Sequence, residues 1–130
     1  MVIDTSAILS ILEQEADARA HAEAIAADPV RLVSAATVVE AGIVMTARHG
    51  RRGAEDLDLL LRDGGIEIVP ITATHARLAR EGFARFGKGR HAAALNYGDC
   101  FSYALARAAR QPLLCKGDDF SRTDVEVVSL

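Results

Sequence analysis

The sequence predicts an α/β protein with a short, mostly parallel sheet that helices cover on both faces. The first observation is a succession of short apolar runs separated by segments with helical spacing, which is the pattern of βαβ units. The second is the length of 130 residues, which is enough for one hydrophobic core. Since no internal repeat or long linker divides the chain, we expect a single domain over residues 1–130.

Each element follows from local sequence. Strands are expected at residues 2–3, 31–34, 66–69 and 113–115, with a last edge strand at 125–128. The first helix follows Asp4, and Thr5 or Ser6 can cap it. Further helices are predicted at about 17–27, 37–48, 53–62, 74–86 and 99–109. A loop rich in glycine and basic residues, 87–98, precedes the last of them.

Composition excludes several classes of protein. With 50% hydrophobic residues the chain is not a disordered tail, and no apolar run approaches the ~20 residues that cross a bilayer. Cys100 and Cys115 are expected as free thiols, and no export signal is visible, so we expect a cytoplasmic protein. The net charge of −3 argues against nucleic-acid binding through overall positive charge. Four Phe, two Tyr and no Trp argue against a row of base-stacking aromatics.

Acidic residues follow several of the predicted strands. Asp4 follows the first strand, Glu40 lies in the first two turns of the helix after the second, and Asp99 opens the helix before the fourth. Asp118 and Asp119 follow that fourth strand by a short turn. Ligands of parallel sheets bind beyond the carboxyl ends of the strands, where these acids would repel one another without a cation. Oxygen ligands favour Mg²⁺ or Mn²⁺, and no His or Cys spacing suggests zinc.

Each acid also has a purely structural explanation. Asp4 can cap the first helix, and Asp99 can favour the positive end of its own helix. Asp118 and Asp119 can belong to an ordinary turn. Glu40 lies on a partly buried helix face and needs a cation, an arginine partner or a raised pKa.

Basic residues flank the acidic positions in two groups. The first leads into Asp99, and from it we assign phosphate contacts to Arg85, Lys88 and Arg90. The second, 48–52, follows the Glu40 helix, and ordinary solvated charge is the alternative for both groups. The four histidines are expected on solvated helix faces; they are His21, His49, His75 and His91.

Four segments in order resemble the PIN-domain nucleases, and most closely the VapC-type toxins of bacterial toxin–antitoxin pairs. They are MVIDTSA, TVVEAGIV, LNYGDCFSYALA and PLLCKGDDF, and the resemblance extends over nearly the whole chain. It implies a three-layer α/β/α sandwich and an endoribonuclease that depends on Mg²⁺ or Mn²⁺.

The resemblance also implies roles for individual residues. Asp4, Glu40 and Asp99 match the family's metal-binding acids. Counting from the fourth strand makes Asp118 the fourth acid, with Asp119 in a supporting place; counting back from the following phenylalanine reverses the two. Ser6 matches a small polar residue that orients Asp4 or a water molecule.

The family further implies an RNA substrate, a homodimer and a tight complex with a small antitoxin. Such antitoxins place a basic or polar residue near the acidic centre and cover apolar helices of the toxin. Candidate contact positions, for which core packing is the alternative, are Ile8, Leu12, Val44 and Leu59–Leu61.

Two rival interpretations remain. A receiver-type phosphoacceptor has similar length and acids at strand ends, but it needs an acidic pair after the first strand, where Thr5 and Ser6 follow Asp4. It also needs an aspartate after the central strand, which ends here at residues 70–72. The second rival is a catalytically inactive binding protein of the same fold.

Overall fold

Four short strands form one parallel sheet in this computed structural model, which describes residues 1–130. The strands are β1 (Val2–Ile3), β2 (Leu32–Ser34), β3 (Glu67–Val69) and β4 (Leu113–Leu114). Their order is β3-β2-β1-β4, and Val2 of β1 pairs with both Leu32 and Leu113. The carboxyl ends of all four strands therefore meet at one edge of the sheet.

Five helices connect and cover the strands. They are α1 (Thr5–Leu12), α2 (Ala18–Ala27), α3 (Ala35–Asp63), α4 (Ala73–Phe86) and α5 (Tyr97–Ala109), and a 3₁₀ turn (Phe120–Arg122) follows β4. None of the helices combines the length and the apolar character that crossing a membrane requires.

Two hydrophobic cores lie on opposite faces of the sheet, because successive strand side chains point to opposite sides. Val2 and Leu113 pack with α4 and α5 in one core. Ile3 and Leu114 pack with α1, α2 and α3 in the other. The predicted three-layer α/β/α sandwich with a parallel central sheet is confirmed.

Some local predictions were wrong. The expected edge strand at 125–128 is reduced to an isolated bridge between Leu113 and Val127. His21 and His75 are buried, not solvated, and the ring of His21 is satisfied on one side by the Ser10 hydroxyl at 3.0 Å. Both cysteines are buried free thiols, as expected.

The two helices predicted at 37–48 and 53–62 are the two halves of α3, which is broken at Gly50. Gly50 has φ 63° and ψ −147°, a conformation that lies outside the helical region and favours glycine. The predicted boundary at this glycine is confirmed.

Replacing Gly50 with alanine is expected to lower the free energy of unfolding by about 1–3 kcal/mol, because a side chain strains this backbone conformation. The matched control is Gly42→Ala in the same helix, where an added Cβ would make only an ordinary 3.6 Å contact with Leu57. Urea unfolding checks both, and the control is expected to be neutral or stabilising. Equal stability of the two variants would contradict the assignment of strain to Gly50.

Candidate active site

Asp4 is the most firmly held acid at the carboxyl edge of the sheet. It follows β1 directly, caps α1 and is only 3% exposed. Its Oδ2 accepts hydrogen bonds from the Ser6 backbone N–H at 2.9 Å and the Ser6 hydroxyl at 2.7 Å, and its Oδ1 accepts one from the Ser102 hydroxyl at 2.6 Å. Both oxygens are thus oriented by donors from α1 and α5.

Ser102 is a functional residue that sequence reasoning missed. It is fully buried, and its hydroxyl lies 3.3 Å from that of Thr37 on α3, so three helices meet at Asp4. Its spacing of three residues from Asp99 places both on one face of α5, and this spacing was the available signal.

The loop after β4 is tied to the same carboxylate. The Lys116 backbone N–H donates to the Ser6 hydroxyl at 2.9 Å, and the Ser6 hydroxyl donates to Asp4. The Lys116 ammonium pairs with Glu15 and with Asp17 in the turn between α1 and α2. The loop that carries Asp118 and Asp119 is therefore anchored at its first residue.

Glu40 faces the same edge from the second turn of α3 and is half-buried. Burial raises the pKa of its carboxyl, the negative charge of Asp4 raises it further, and the Thr5 side chain opposes the shift. The Glu40 carboxylate fills the space beside Gly98, where an added Cβ would lie 1.8 Å from Oε2. Gly98 thereby allows α3 and α5 to bring Glu40 and Asp99 together.

Asp99 is the third residue of α5 and does not open it. The helix begins at Tyr97, two residues earlier than predicted, and Asn96 caps it. The two form a capping box in which Asp99 Oδ2 accepts from the Asn96 N–H at 2.9 Å. The pKa of Asp99 is raised to about 6, chiefly by burial, against the Asn96 hydrogen bond that lowers it. The charges of Asp4, Glu40 and Asp119 raise it further, so these four acids share one electrostatic environment.

Asp118 and Asp119 are both exposed in the turn after β4. The charge of Asp119 is one of the main influences that raise the pKa of Asp99. Both contribute at Cys115, whose thiol pKa is raised to about 12 by burial and then by Asp4, Asp119, Asp99 and Asp118 in that order. Asp119 therefore lies electrically closer to the centre of the site than Asp118.

No cation of the protein balances these acids. None of the arginine, lysine or histidine ion pairs involves Asp4, Glu40, Asp99, Asp118 or Asp119. The arginine partner considered for Glu40 is thus absent, and its raised pKa is what the structure shows. The side chains do not close into a group of three around a single point that would hold a metal ion as they stand. The all-oxygen donor set fits a hard divalent cation, whose charge would relieve the mutual repulsion.

The three predicted phosphate-binding residues separate into two places. Arg85 pairs with Asp124 at 2.9 Å and is committed to the C-terminal segment. Lys88 and Arg90 are exposed in the loop between α4 and α5 and pair with no carboxylate. Arg122, which sequence reasoning missed, donates to the Ala92 carbonyl at 3.2 Å and links this loop to the turn after Asp119.

The candidate antitoxin contacts are only partly available at the surface. Ile8 and Leu61 belong to the core and were wrong as contact positions. Leu12, Val44 and Leu60 are half-buried and Leu59 is 44% exposed. The most exposed apolar side chains on α3 are Val39 and Ile43, which lie on either side of Glu40 in sequence.

Comparison with known proteins identifies this arrangement. Residues 1–126 match the PIN domain family. The chain is 48% identical over its whole length to "VapC ribonuclease Mb0640" of Mycobacterium bovis, covering 99% of that protein. It is 51% identical to "Ribonuclease VapC" of Mycolicibacterium smegmatis, covering 98% of this chain and 99% of the relative.

Solved structures have the same fold. VapC20 of Mycobacterium tuberculosis, a sarcin–ricin loop cleaving toxin, aligns with a TM-score of 0.79 at 20% identity, covering 99% of this chain and 98% of that one. VapBC2 of Rickettsia felis, bound to a DNA fragment from its promoter, aligns with a TM-score of 0.74 at 16% identity, covering 98% and 96%.

The chain therefore belongs to the PIN-domain family. Within that family it is of the VapC type, as the full-length identities to VapC ribonucleases show. The resemblance inferred from the four sequence segments is confirmed, and the receiver-type alternative is not supported.

Replacing Ser102 with alanine is expected to lower the free energy of unfolding by about 1–3 kcal/mol, because a buried carboxylate oxygen of Asp4 loses its donor. Urea unfolding measures the change. The control is Ser121→Ala, an exposed serine whose hydroxyl bonds only to a backbone carbonyl, with an expected change within about 0.5 kcal/mol. A Ser102 variant as stable as this control would show that Asp4 does not depend on the bond.

The raised pKa of Asp99 predicts that, without divalent ions, the contribution of this residue to stability falls as the pH rises from about 4 to about 7. The folded carboxyl has a pKa of about 6 against an ordinary value of 3.8, so between these values the folded state binds more protons than the unfolded state. Raising the pH therefore favours unfolding, by about 1–3 kcal/mol for this group. Asp99→Asn removes the ionisation and keeps an oxygen that can accept from Asn96.

Urea unfolding of both proteins in EDTA at several pH values measures this difference. The wild type is expected to lose stability relative to Asp99→Asn across the interval. The exposed Asp118→Asn variant is expected to run parallel to the wild type. Wild-type and Asp99→Asn curves that stay parallel would mean that the acid does not titrate at a raised pKa.

Proposed function

We propose that the chain is a divalent-metal-dependent endoribonuclease and the toxin of a toxin–antitoxin pair. The observation that carries the proposal is the cluster of carboxylates from β1, α3, α5 and the turn after β4 that no cation of the protein neutralises. VapC-type ribonucleases with 47–51% identity over nearly the whole chain support the reaction class.

In this proposal Asp4, Glu40 and Asp99 hold Mg²⁺ or Mn²⁺. When bound, such an ion neutralises charge on the scissile phosphodiester and makes a water molecule more acidic. Asp4 is the acid with the most restricted orientation, since the hydroxyls of Ser6 and Ser102 donate hydrogen bonds to its two oxygens. Ser6 thus serves in the supporting role predicted for it.

Without a bound ion, burial and the neighbouring acids raise the pKa of Glu40 and of Asp99, and a cation at the site would favour their ionised, metal-binding forms. In Asp99 the oxygen Oδ2 is engaged by Asn96, which leaves Oδ1 to face the site. Glu40 is held beside the Gly98 backbone, and its carboxylate is suited to accept a proton from the attacking water.

The fourth acid is proposed from electrostatics. Asp118 remains the position predicted by counting from β4. Asp119 is the stronger candidate, because its charge raises the pKa of Asp99 and acts more strongly than that of Asp118 on Cys115. Separate asparagine variants distinguish the two.

The loop between α4 and α5 is proposed to contact RNA phosphates through Lys88, Arg90 and Arg122. These cations have no carboxylate partner, so they are free to bind a polyanion. Arg85 is left out of this set, since it is neutralised by Asp124.

An antitoxin is proposed to cover the apolar side of α3. Val39 and Ile43 are 61% and 64% exposed and lie one helical turn apart, with Glu40 beside them. A partner helix with apolar side chains and one basic residue fits this surface, because the basic side chain would contact the unpaired acids. The homodimer implied by the family stays a prediction.

Cleavage of a mixed single-stranded RNA in Mg²⁺ tests the reaction. EDTA is expected to abolish cleavage, and Mg²⁺ or Mn²⁺ to restore it. Asp4→Asn and Asp99→Asn are each expected to lower the rate at least ~100-fold, since each removes a charged ligand. Asp119→Asn is expected to lower it more than Asp118→Asn.

Circular dichroism checks that each variant is folded. Asp58→Asn, on the exposed side of α3, is the matched control, and it is expected to keep full activity. Full activity of Asp4→Asn or Asp99→Asn would remove that residue from the site. Absence of cleavage by the folded wild type in Mg²⁺ and Mn²⁺ would favour the inactive binding protein.

A further inference from the structure

Tyr97 is the most exposed of the large hydrophobic side chains, at 81%. It is the first residue of α5 and stands two residues before Asp99. Its ring meets that of Phe101 edge to face, with centroids 5.0 Å apart and an angle of 77°. The ring is therefore supported from one side and presents much of its surface to solvent, next to the acids.

Tyr97 stands on the wall between two grooves. One groove, of about 600 Å³, is shared with Glu40 and with Val39, Ile43 and Ile71. The other, of about 540 Å³, lies between α4 and α5 and has Arg80 as its one charged lining residue. Arg80 forms no ion pair. The aromatic ring thus separates an acidic site from an unbalanced cation.

We propose that Tyr97 is a stacking platform for one unpaired nucleobase of the RNA, beside the bond that is cut, and that Arg80 contacts a neighbouring phosphate. The inference rests on the proposed function. In RNA a flat base lies between the scissile phosphate and a neighbouring phosphate. On the protein the Tyr97 ring lies between the acids and Arg80, so each of the three can contact one of these groups. Stacking requires that the base which meets Tyr97 be unpaired in the bound RNA.

A protein partner would also cover an apolar groove, but it gives no reason for the isolated Arg80. Aromatic residues are few in the chain, and Tyr97 at 81% is twice as exposed as Phe83 at 40%. Recognition is therefore expected at a single base and not along a run of bases.

Binding is measured on the full chain with Asp4→Asn, which prevents cleavage, in Mg²⁺. The probes are a fluorescent single-stranded RNA of eight uridines and a chain of the same length made of abasic ribose phosphates. The chain with Tyr97 intact is expected to prefer the uridine strand about 5- to 100-fold, the contribution of one stacked base. Tyr97→Leu is expected to bind both probes within about two-fold of each other, and Tyr97→Phe to keep the preference.

Arg80→Ala is expected to weaken binding of both probes equally and to lower the salt dependence of binding by about one counterion. Leu130→Ala, an exposed apolar side chain outside both grooves, is the control with unchanged preference. Light scattering of each variant reports its oligomeric state.

A Tyr97→Leu variant that keeps the wild-type preference overturns the proposal. So does one that changes oligomeric state and leaves the preference intact, because the ring would then belong to an interface between copies of the chain. If the wild type cuts RNA while position 97 has no effect on base preference, only this inference fails. A wild-type chain that neither binds nor cuts RNA overturns the proposed function as well.

Discussion

Uncompensated negative charge at the carboxyl edge of the sheet is the constraint on which the rest of the site depends. Parallel strands bring Asp4, Glu40 and Asp99 to this edge from three separate stretches of chain. The protein supplies hydroxyl and backbone donors to orient them and leaves the charge itself unbalanced. These donors hold the acids in place in the folded protein, and the unbalanced charge can be neutralised by a cation from solution.

Structural and chemical roles coincide in two of these residues. Asp4 caps α1 and is also the most firmly held acid of the site. Asp99 completes the capping box of α5 with one oxygen and faces the other acids. The structural explanations weighed from the sequence were therefore correct without excluding the chemical ones. A helix that begins at an acid of the site holds that acid with the rigidity of its own first turn.

Sequence predicted what is set by neighbours along the chain. The strand ends that carry the acids, the helical breaks and the sheet class follow from local apolar patterns and from Gly50. Contacts between distant segments were not accessible. Arg85 is separated by 39 residues from Asp124, which neutralises it, and Ser102 by 98 from Asp4. His21 was misplaced because an alanine-rich helix gives little contrast between its faces.

The same acids also influence the reactivity of the Cys115 thiol. Burial first and the acids second raise its thiol pKa to about 12, which disfavours the thiolate, the form that oxidants and alkylating agents attack. Burial and the acids together thus keep this cysteine in its unreactive thiol form. Conversely, faster modification of that sulfur by a small maleimide would report that the surrounding carboxylates are no longer in place.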